Sequence, residues 1–427
     1  MTTMKSSKRN ALNVRAALIK SVLLMVLMCV TGLALAHGER NQEPFLRMKT
    51  LHWYDVKWSV ENDATIQVND VVEMTGKVHF FSRWPEVINK PSTIFLGNAT
   101  PGPVFVRVET YLEGVPMIQS TGVELGHVYD FKVILKARIP GRHHVHPMIN
   151  VESAGGLVGP GIWINVAGNA DDFVYSITTR TGTEIENLGS YAVPNVVKWH
   201  AIWAIVGVLW LLWWFRRPLI IQRYLLVKQG SWSQLITNND RKIAASLIVG
   251  IIVTLIYANN ITKEKYPRTI PLQGSKAHVD TPVNKYAGMV TVKNLSAEYY
   301  LPGRTVTVKA EITNNTNSPI QVGEFTAANI RFVNHSVPAA MKGVDVGYPS
   351  ELVANDSLKI SDQTPIQPGE TKILDIEATD VAWETERLSS LLNDPDSSYG
   401  ALLFFYNAKG ERIIEEIYGQ IIPTFID

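Results

Sequence analysis

The sequence predicts a mainly β protein in which two β-sandwich domains are joined by two transmembrane helices. Short segments that alternate apolar and polar residues, separated by Gly/Pro turns, fill residues 37–190 and 286–427. Such segments are typical of antiparallel sandwiches. Between them lie two apolar runs, 196–215 and 243–258, and the first is long enough to cross a bilayer. The 427 residues suffice for two or three domains with cores of their own.

Composition narrows the chemistry that this chain can carry. The formal net charge is +1, so no overall field favours nucleic acid as a partner. The single cysteine, Cys29, lies in a predicted signal peptide, so the mature chain would contain no thiol. Disulfides, zinc–thiolate sites, iron–sulfur clusters and blue-copper thiolate centres are then excluded. Any metal must be held by histidine, carboxylate, amide or backbone groups.

Residues 1–36 have the features of a secretory signal peptide. A basic N-terminal region precedes an apolar core from Ser21 to Leu33, and Ala34-Leu35-Ala36 fits the small-x-small cleavage pattern. Cleavage after this motif would export the domain that follows and place His37 at the mature N-terminus. The alternative is an uncleaved anchor, but the short apolar core and the motif favour cleavage.

The N-terminal domain, residues 37–190, contains a strand after the Pro140-Gly141 turn that carries a histidine pair. Alternation directs one set of its side chains to the core and the other set outward, where it includes His144 and His146. Pro147 has no N–H group, so this strand is predicted to be an edge strand or to contain a bulge. An edge position would leave room for the mature N-terminus beside it.

The two apolar runs are predicted to be transmembrane helices. Tryptophans cluster toward the ends of residues 196–215, as they do at membrane interfaces. The connecting loop, residues 216–242, holds six Lys/Arg and one acid, so the positive-inside rule places it in the cytoplasm. Both flanking domains would then be periplasmic. The alternative, a buried helical hairpin, is disfavoured by the charges and the tryptophans.

A linker, residues 259–285, leads into the C-terminal domain, residues 286–427. Alternating segments such as Val306–Ile312 and Ile373–Ile376 predict a second sandwich. His335 is the only histidine of this domain, so paired metal ligands are absent from it and we interpret it as a scaffold.

Three histidines form the main candidate metal site. His144 and His146 are two residues apart, so both imidazoles leave a strand on the same face, whereas His143 points the other way. His37 would add a free α-amine and its own ring at the mature N-terminus, which makes four nitrogen donors. An all-nitrogen set suits copper or zinc, and a flattened arrangement would favour Cu(II).

His52 and His79 form a second candidate metal site. Both lie on aromatic-rich segments that alternate like strands, Leu51-His52-Trp53-Tyr54 and Lys77-Val78-His79-Phe80. The alternative interpretation is two half-buried histidines that are hydrogen-bonded to the backbone, and spacing alone favours that alternative. Walker, dinucleotide-binding and G-x-S-x-G motifs are absent from the sequence, so NTPase, nicotinamide and serine-hydrolase functions have no support.

Several stretches resemble the B subunit of membrane-bound copper monooxygenases, the family of ammonia monooxygenase and particulate methane monooxygenase. The resemblance covers nearly the whole mature chain. RIPGRHHVH looks more like the ammonia enzymes, because the methane enzymes tend to have Trp at the position of His143. The stretches that carry the resemblance are HGERNQEPFLRMKTLHWYDVKW, LKARIPGRHHVHPMINV, GPGIWINVAG, GEFTAANIRFVN and DPDSSYGALLFF.

The resemblance implies two periplasmic cupredoxin-like domains joined by two transmembrane helices in a bacterial inner membrane, cytoplasmic or intracytoplasmic. It implies assembly with subunits A and C into a trimer of heterotrimers, with quinol as the reductant. Its copper ligands would be His37, His144 and His146, and a two-histidine copper site would map to His52 and His79. Methane-oxidising relatives complete the second site with a C-terminal Gln, which residues 411–416 lack.

The leading hypothesis is therefore a copper-binding subunit of a monooxygenase that oxidises ammonia to hydroxylamine with O₂. The homologous conversion of methane to methanol is the first alternative. The others are a membrane-anchored periplasmic copper-binding protein and a subunit whose copper is purely structural.

Overall fold

The computed structural model describes residues 48–425, apart from 87, 153–154, 180–181, 218–219, 267–275, 343–347, 356 and 386–396. The predicted signal peptide and His37 lie outside these residues. Within them, the chain forms two β-sandwich domains joined by two long apolar helices. This architecture confirms the predicted fold class.

The N-terminal domain is a sandwich of two five-stranded sheets. One sheet has the order β1-β3-β7-β5-β6, and the other has the order β2-β10-β8-β4 with β9 also paired to β8. A small hairpin, β11 and β12, follows the sandwich. The strands are β1 Leu51–Trp58, β2 Ala64–Gln67, β3 Val71–Phe80, β4 Ile94–Ala99, β5 Phe105–Leu112, β6 Val115–Pro116, β7 Val128–Ala137, β8 Gly141–Val151, β9 Gly155–Val158, β10 Ile162–Ala167, β11 Ile177–Thr178 and β12 Glu184–Ile185.

Alternating side chains build the core between these sheets. Every second residue of β7, from Tyr129 to Ala137, is buried, and the residues between them are more exposed. The ring of Trp53 on β1 meets the ring of Phe131 edge-on, with centroids 4.9 Å apart. Each large apolar side chain removed from water contributes about 1.5–3 kcal/mol. The alternation therefore determines which face of each strand packs against the core.

The strand β8, which carries the histidine pair, is an inner strand, so its predicted edge position was wrong. β4 pairs along one side of it, and β9 and β10 follow each other along the other side. Val158 of β9 pairs with Met148, and Ile162 of β10 pairs with Val145. Three residues between β9 and β10, 159–161, therefore lie opposite two residues of β8, 146 and 147. The irregularity therefore lies in the partner strands, opposite Pro147.

Two long helices connect the domains. A short helix, α1 (Leu188–Tyr191), precedes α2 (Val193–Phe215), and α4 (Asn238–Lys265) runs back. None of the α2 side chains is buried, and Asp240 is the only buried residue of α4. A helix that is apolar on all sides needs an apolar environment. The exposed apolar surface of α2 and α4 is of the kind that a bilayer would cover.

Both ends of this hairpin are tied by polar contacts. Thr237 and Asp240 form a reciprocal capping box at the start of α4, and Asp240 also accepts a hydrogen bond of 2.8 Å from Trp213 Nε1 on α2. At the other end the hydroxyls of Tyr191 and Tyr266 are 3.5 Å apart. The predicted plain loop between the helices contains a further helix, α3 (Ile220–Lys228), and a 3₁₀ turn, Trp232–Gln234.

Residues 276–285 lie along the N-terminal domain before the chain enters the second one. The backbone N–H of Ala277 donates to Ser120 O at 2.7 Å, and Thr121 Oγ1 donates to Ala277 O at 2.8 Å. His127 Nδ1 donates to Pro282 O at 3.0 Å. This part of the predicted linker is therefore fixed to the first sandwich.

The C-terminal domain repeats the two-sheet design around its own core. Its sheets have the orders β18-β19-β14-β13-β22 and β17-β16-β15-β20-β21. Two single-turn helices, α5 (Pro338–Met341) and α6 (Ala382–Thr385), lie between strands. The strands are β13 Val290–Tyr300, β14 Thr305–Asn314, β15 Ile320–Ala327, β16 Ile330–Val333, β17 Val353–Asn355, β18 Leu358–Ile360, β19 Thr371–Thr379, β20 Ser398–Asn407, β21 Arg412–Gln420 and β22 Ile422–Thr424.

The two sandwiches pack directly against each other. The ring of Tyr54 on β1 meets Phe404 on β20 edge-on at 5.7 Å, within a shared apolar cluster. At the rim of this cluster, Arg412 on β21 donates two hydrogen bonds to the carboxylate of Asp55, one of them 2.8 Å long. A bidentate pair of this kind fixes orientation as well as distance.

We expect Arg412→Gln to destabilise the protein by about 1–3 kcal/mol, because the half-buried carboxylate of Asp55 loses both donors. Denaturant titration of the purified protein in detergent measures this difference. The matched control is Lys309→Gln, which removes an exposed pair with Asp375 at 3.8 Å and should change the free energy of unfolding by less than about 0.5 kcal/mol. Equal effects of the two substitutions would contradict the prediction.

Candidate metal centres

His144 and His146 meet on the outer face of β8. Their ring centroids are 4.2 Å apart, and His146 Nε2 lies 3.0 Å from His144 Nδ1. His143 projects to the opposite face, where its Nε2 donates to Ile139 O at 2.9 Å. The structure therefore brings together the two histidines that the spacing singled out and separates the third.

The turn between β9 and β10 holds the ring of His146 in place. His146 Nδ1 donates to the carbonyl of Gly159 at 2.8 Å, which leaves the lone pair on Nε2, the atom that faces His144. A Cβ at Gly161 would lie 2.5 Å from His146 Nδ1, so only glycine permits this approach. No local pattern in the sequence marks Gly159 and Gly161 as part of the site.

An aromatic and charged stack supports the ring of His144. The ring is stacked on Trp163 of β10, with centroids 4.6 Å apart and an interplanar angle of 12°. The guanidinium of Arg142 lies 4.1 Å from the centroid of the same indole, and its Nε donates to Asp63 Oδ1 at 2.8 Å. The rotation of His144 is thereby restricted from one side.

This geometry fits two of the ligands that a copper or zinc ion needs. Metal–nitrogen bonds of about 2.0 Å at a right angle separate two ligand nitrogens by about 2.8 Å, close to the spacing observed here. Among the residues that the structure describes, no third His, Cys, Asp or Glu joins the pair in a group of three. The predicted third ligand, His37, lies outside the described residues.

His52 and His79 are directly opposite each other on β1 and β3. Both side chains are buried, and three of their four ring nitrogens have no hydrogen-bond partner among the described residues: His52 Nδ1, His52 Nε2 and His79 Nδ1. Burial, followed by the charges of His79 and Arg331, lowers the pKa of His52 to about 3. The interpretation of two histidines hydrogen-bonded to backbone is therefore wrong for His52.

Glu416 of the C-terminal domain reaches into this second site. Its carboxylate lies 2.8 Å from His79 Nε2 and also accepts hydrogen bonds from the N–H and hydroxyl of Ser82, at 2.9 and 2.6 Å. Although burial opposes it, these hydrogen bonds and the charge of His79 hold the pKa of Glu416 below its usual value. A proton on Nε2 leaves the lone pair of His79 on Nδ1, the atom without a partner.

Residues 411–416 lack a glutamine, and no role was predicted for Glu416 from the sequence. A local signal was present, because Glu415-Glu416 places two acids between the apolar pairs Ile413-Ile414 and Ile417-Tyr418 of β21. Burial and then the neighbouring Glu416 raise the pKa of Glu415 to about 7. A pair of acids in a half-buried strand is costly unless each has a partner or a function.

These features belong to a recognised class of proteins. The family model of the monooxygenase B-subunit protein matches residues 38–425 of this chain. The chain therefore belongs to the B-subunit family of monooxygenases.

Among individual proteins, the chain is 43% identical over 393 residues to the particulate methane monooxygenase alpha subunit of Methylococcus capsulatus, covering 92% of this chain and 93% of that protein. Among solved structures, it is similar to the cupredoxin domain of amoB from Nitrosocaldus yellowstonii. That match has 16% identity and a TM-score of 0.25, and it covers 32% of this chain and 98% of that chain.

We expect Gly161→Ala to weaken metal binding at the His144–His146 pair about tenfold or more, because the new methyl group displaces the ring of His146. Metal titration followed by isothermal calorimetry measures the affinity. Gly156→Ala is the matched control, since its Cβ would meet the flexible end of Met148, 2.6 Å from the sulfur. Unchanged affinity in Gly161→Ala would contradict the role given to this glycine.

The low pKa of His52 predicts an acid-sensitive fold. Below about pH 6.5 the unfolded chain binds a proton at His52 that the folded chain binds only near pH 3, so this residue destabilises the fold progressively as the pH falls through that range. The free energy of unfolding of the His52→Gln variant should therefore fall less steeply with decreasing pH than that of the unsubstituted protein, both without metal. The two slopes should differ by about 1.4 kcal/mol per pH unit. Denaturant titrations from pH 7 to pH 4 test this, and parallel curves would refute it.

Proposed function

We propose that this chain is the copper-binding B subunit of a membrane-bound monooxygenase that oxidises ammonia to hydroxylamine with O₂. The carrying observation is the His144–His146 pair, whose facing nitrogens are 3.0 Å apart and whose second ring is oriented by Gly159. Membership of the B-subunit family of monooxygenases supports the reaction class. The motif RIPGRHHVH supports ammonia as the substrate.

Methane oxidation to methanol is the second candidate function. It is favoured by the name of the 43% identical relative, a particulate methane monooxygenase subunit. His143, the residue that distinguishes the motif, faces away from the histidine pair and donates to the backbone of Ile139. Its influence on the substrate would therefore be indirect.

Copper would be held at two places. His37, through its amine and ring, would join His144 and His146, and His52 with His79 would form the second centre with Glu416 behind it. Copper bound with an open coordination position would supply the redox chemistry for O₂. The chain itself supplies oriented neutral nitrogens, because Gly159 and Glu416 each hold a proton on the ring nitrogen that faces away from the metal.

The surroundings follow from the same proposal. α2 and α4 would span a bacterial inner membrane, with both sandwiches in the periplasm and the basic loop in the cytoplasm. Subunits A and C would cover part of these helices in a trimer of heterotrimers, and quinol in the membrane would be the reductant. The uncovered apolar surface of both helices supports an environment of lipid and partner helices.

Two double variants test the proposal. We expect His144→Ala/His146→Ala to lose the copper of the first centre, and His52→Ala/His79→Ala to lose that of the second, with His278→Ala, an exposed histidine, as the control. Copper per chain by mass spectrometry and the electron paramagnetic resonance spectrum are the readouts. Copper content equal to the control in both variants would refute the metal sites.

Turnover assays of the same purified complexes separate the functions. Faster oxidation of ammonia than of methane supports the proposed substrate, and the reverse supports the second candidate. Size exclusion in detergent tests the assembly, because a chain that migrates alone would contradict a subunit role. Unchanged turnover in a variant that has lost its copper would assign that copper a structural role.

A further inference from the structure

The helix α3, between the two long helices, has an apolar face that points away from the described parts of the chain. Ile220, Ile221 and Tyr224 are 85%, 75% and 64% exposed, and Leu225 is 46% exposed. At 100° per residue, these four positions lie within an arc of about 140°, and the exposed Lys228 at the end of the helix lies on the same side. An exposed apolar helix face of this kind is unfavourable in water and indicates a covering partner.

The opposite side of α3 is attached to the end of the hairpin. Arg223 Nη2 donates to Leu235 O at 3.3 Å, and its guanidinium lies 5.1 Å from the ring centroid of Trp214, in the last turns of α2. The side of α3 that carries Arg223, Leu226 and Val227, all half-buried, therefore faces the protein. Its apolar side faces outward at the level where α2 ends.

The charges around α3 are almost all positive. Residues 216–242 contain six Lys/Arg, and their one acid is Asp240. This carboxylate is buried and accepts hydrogen bonds from Thr237 N at 2.7 Å and Trp213 Nε1 at 2.8 Å, with Arg217 at 3.0 Å. Its charge is therefore neutralised internally. Four exposed cations remain at this end: Arg216, Lys228, Arg241 and Lys242.

We propose that α3 lies in the plane of the membrane surface and that this end of the protein binds anionic lipid headgroups. The apolar face of α3 would enter the outer acyl region, and the four exposed cations would contact the headgroups. Trp232, which is 64% exposed in the same segment, has the amphipathic ring that concentrates at membrane interfaces. The proposal rests on the membrane insertion of α2 and α4 in the proposed function.

An exposed apolar helix face and four exposed cations in the same segment between two long apolar helices fit a lipid surface. Anionic headgroups satisfy four spread cations at once, whereas a protein groove would have to supply acids at each of these positions. The exposed tryptophan supports the same assignment, because the interface accepts both its apolar ring and its N–H.

Fluorescence quenching in nanodiscs tests the placement. Single cysteines are introduced at Ile221, Gln222 and Val208 in a Cys29→Ser background, labelled with bimane, and the full chain with its accompanying subunits is reconstituted with spin-labelled lipid. We expect quenching at Ile221 to be about threefold or more that at Gln222 on the other side of α3. Val208, in the middle of α2, reports insertion separately.

The electrostatic part has its own comparison. Raising phosphatidylglycerol from zero to about 30% should increase the quenching at Ile221, because the cations draw α3 toward the charged surface. The combined variant Arg216→Gln/Lys228→Gln/Arg241→Gln/Lys242→Gln should lose this increase. Neutralising four exposed lysines of the C-terminal domain, at 293, 309, 359 and 409, should leave it intact.

The outcomes distinguish the two levels of the proposal. An unquenched Val208 would overturn the membrane location itself. A quenched Val208 with Ile221 shielded from both lipid and aqueous iodide would overturn only the lipid assignment, because a protein would then cover α3. Quenching of the label at Ile221 by iodide but not by spin-labelled lipid would also overturn the lipid assignment. So would an unchanged dependence on phosphatidylglycerol in the variant that lacks the four cations.

Discussion

The face of β1 and β3 that carries His52 and His79 is covered by the C-terminal domain, and the second candidate centre depends on that contact. Glu416 is 337 residues from His79 in sequence but 2.8 Å away in space. Asp55 and Arg412, from the same strands β1 and β21, hold the two faces in register. Burial would raise the pKa of Asp55, but the hydrogen bonds and charge of Arg412 lower it, so the pair stays ionised at neutral pH.

A buried histidine pair with three unpartnered ring nitrogens is costly, and this cost argues for a function. Each buried, unsatisfied nitrogen destabilises the folded state by about 1–3 kcal/mol, and His52 has two of them. A well-packed apolar pair at these positions would have been more stable. A bound cation would occupy the lone pair of one nitrogen on each ring, while Glu416 balances part of its charge. The centre then has a physical reason to lie between the domains, where both groups meet.

Local periodicity predicted much of the fold and the meeting of His144 with His146. Alternation on β8 placed His144 and His146 together, because a period of two is a property of the strand alone. Periodicity did not predict the features that depend on contacts between distant segments of the chain. The edge position inferred from Pro147 was wrong because β9 and β10 together cover that side of β8, and Glu416 was missed because nothing local links it to His79. The helix α3 was missed because a nine-residue amphipathic segment resembles a basic loop.

The two candidate centres share one structural element, although they lie on different sheets. Gly159 accepts the hydrogen bond that orients His146, and a Cβ at this glycine would lie 2.8 Å from both Trp53 and Pro147. Trp53 follows His52 on β1 and crosses the core to reach this turn. The position of the turn is thus set from two directions, by the core packing of β1 and by the register of β8. Because a close-packed core transmits small displacements, the orientation of His146 depends on the same strand that holds His52.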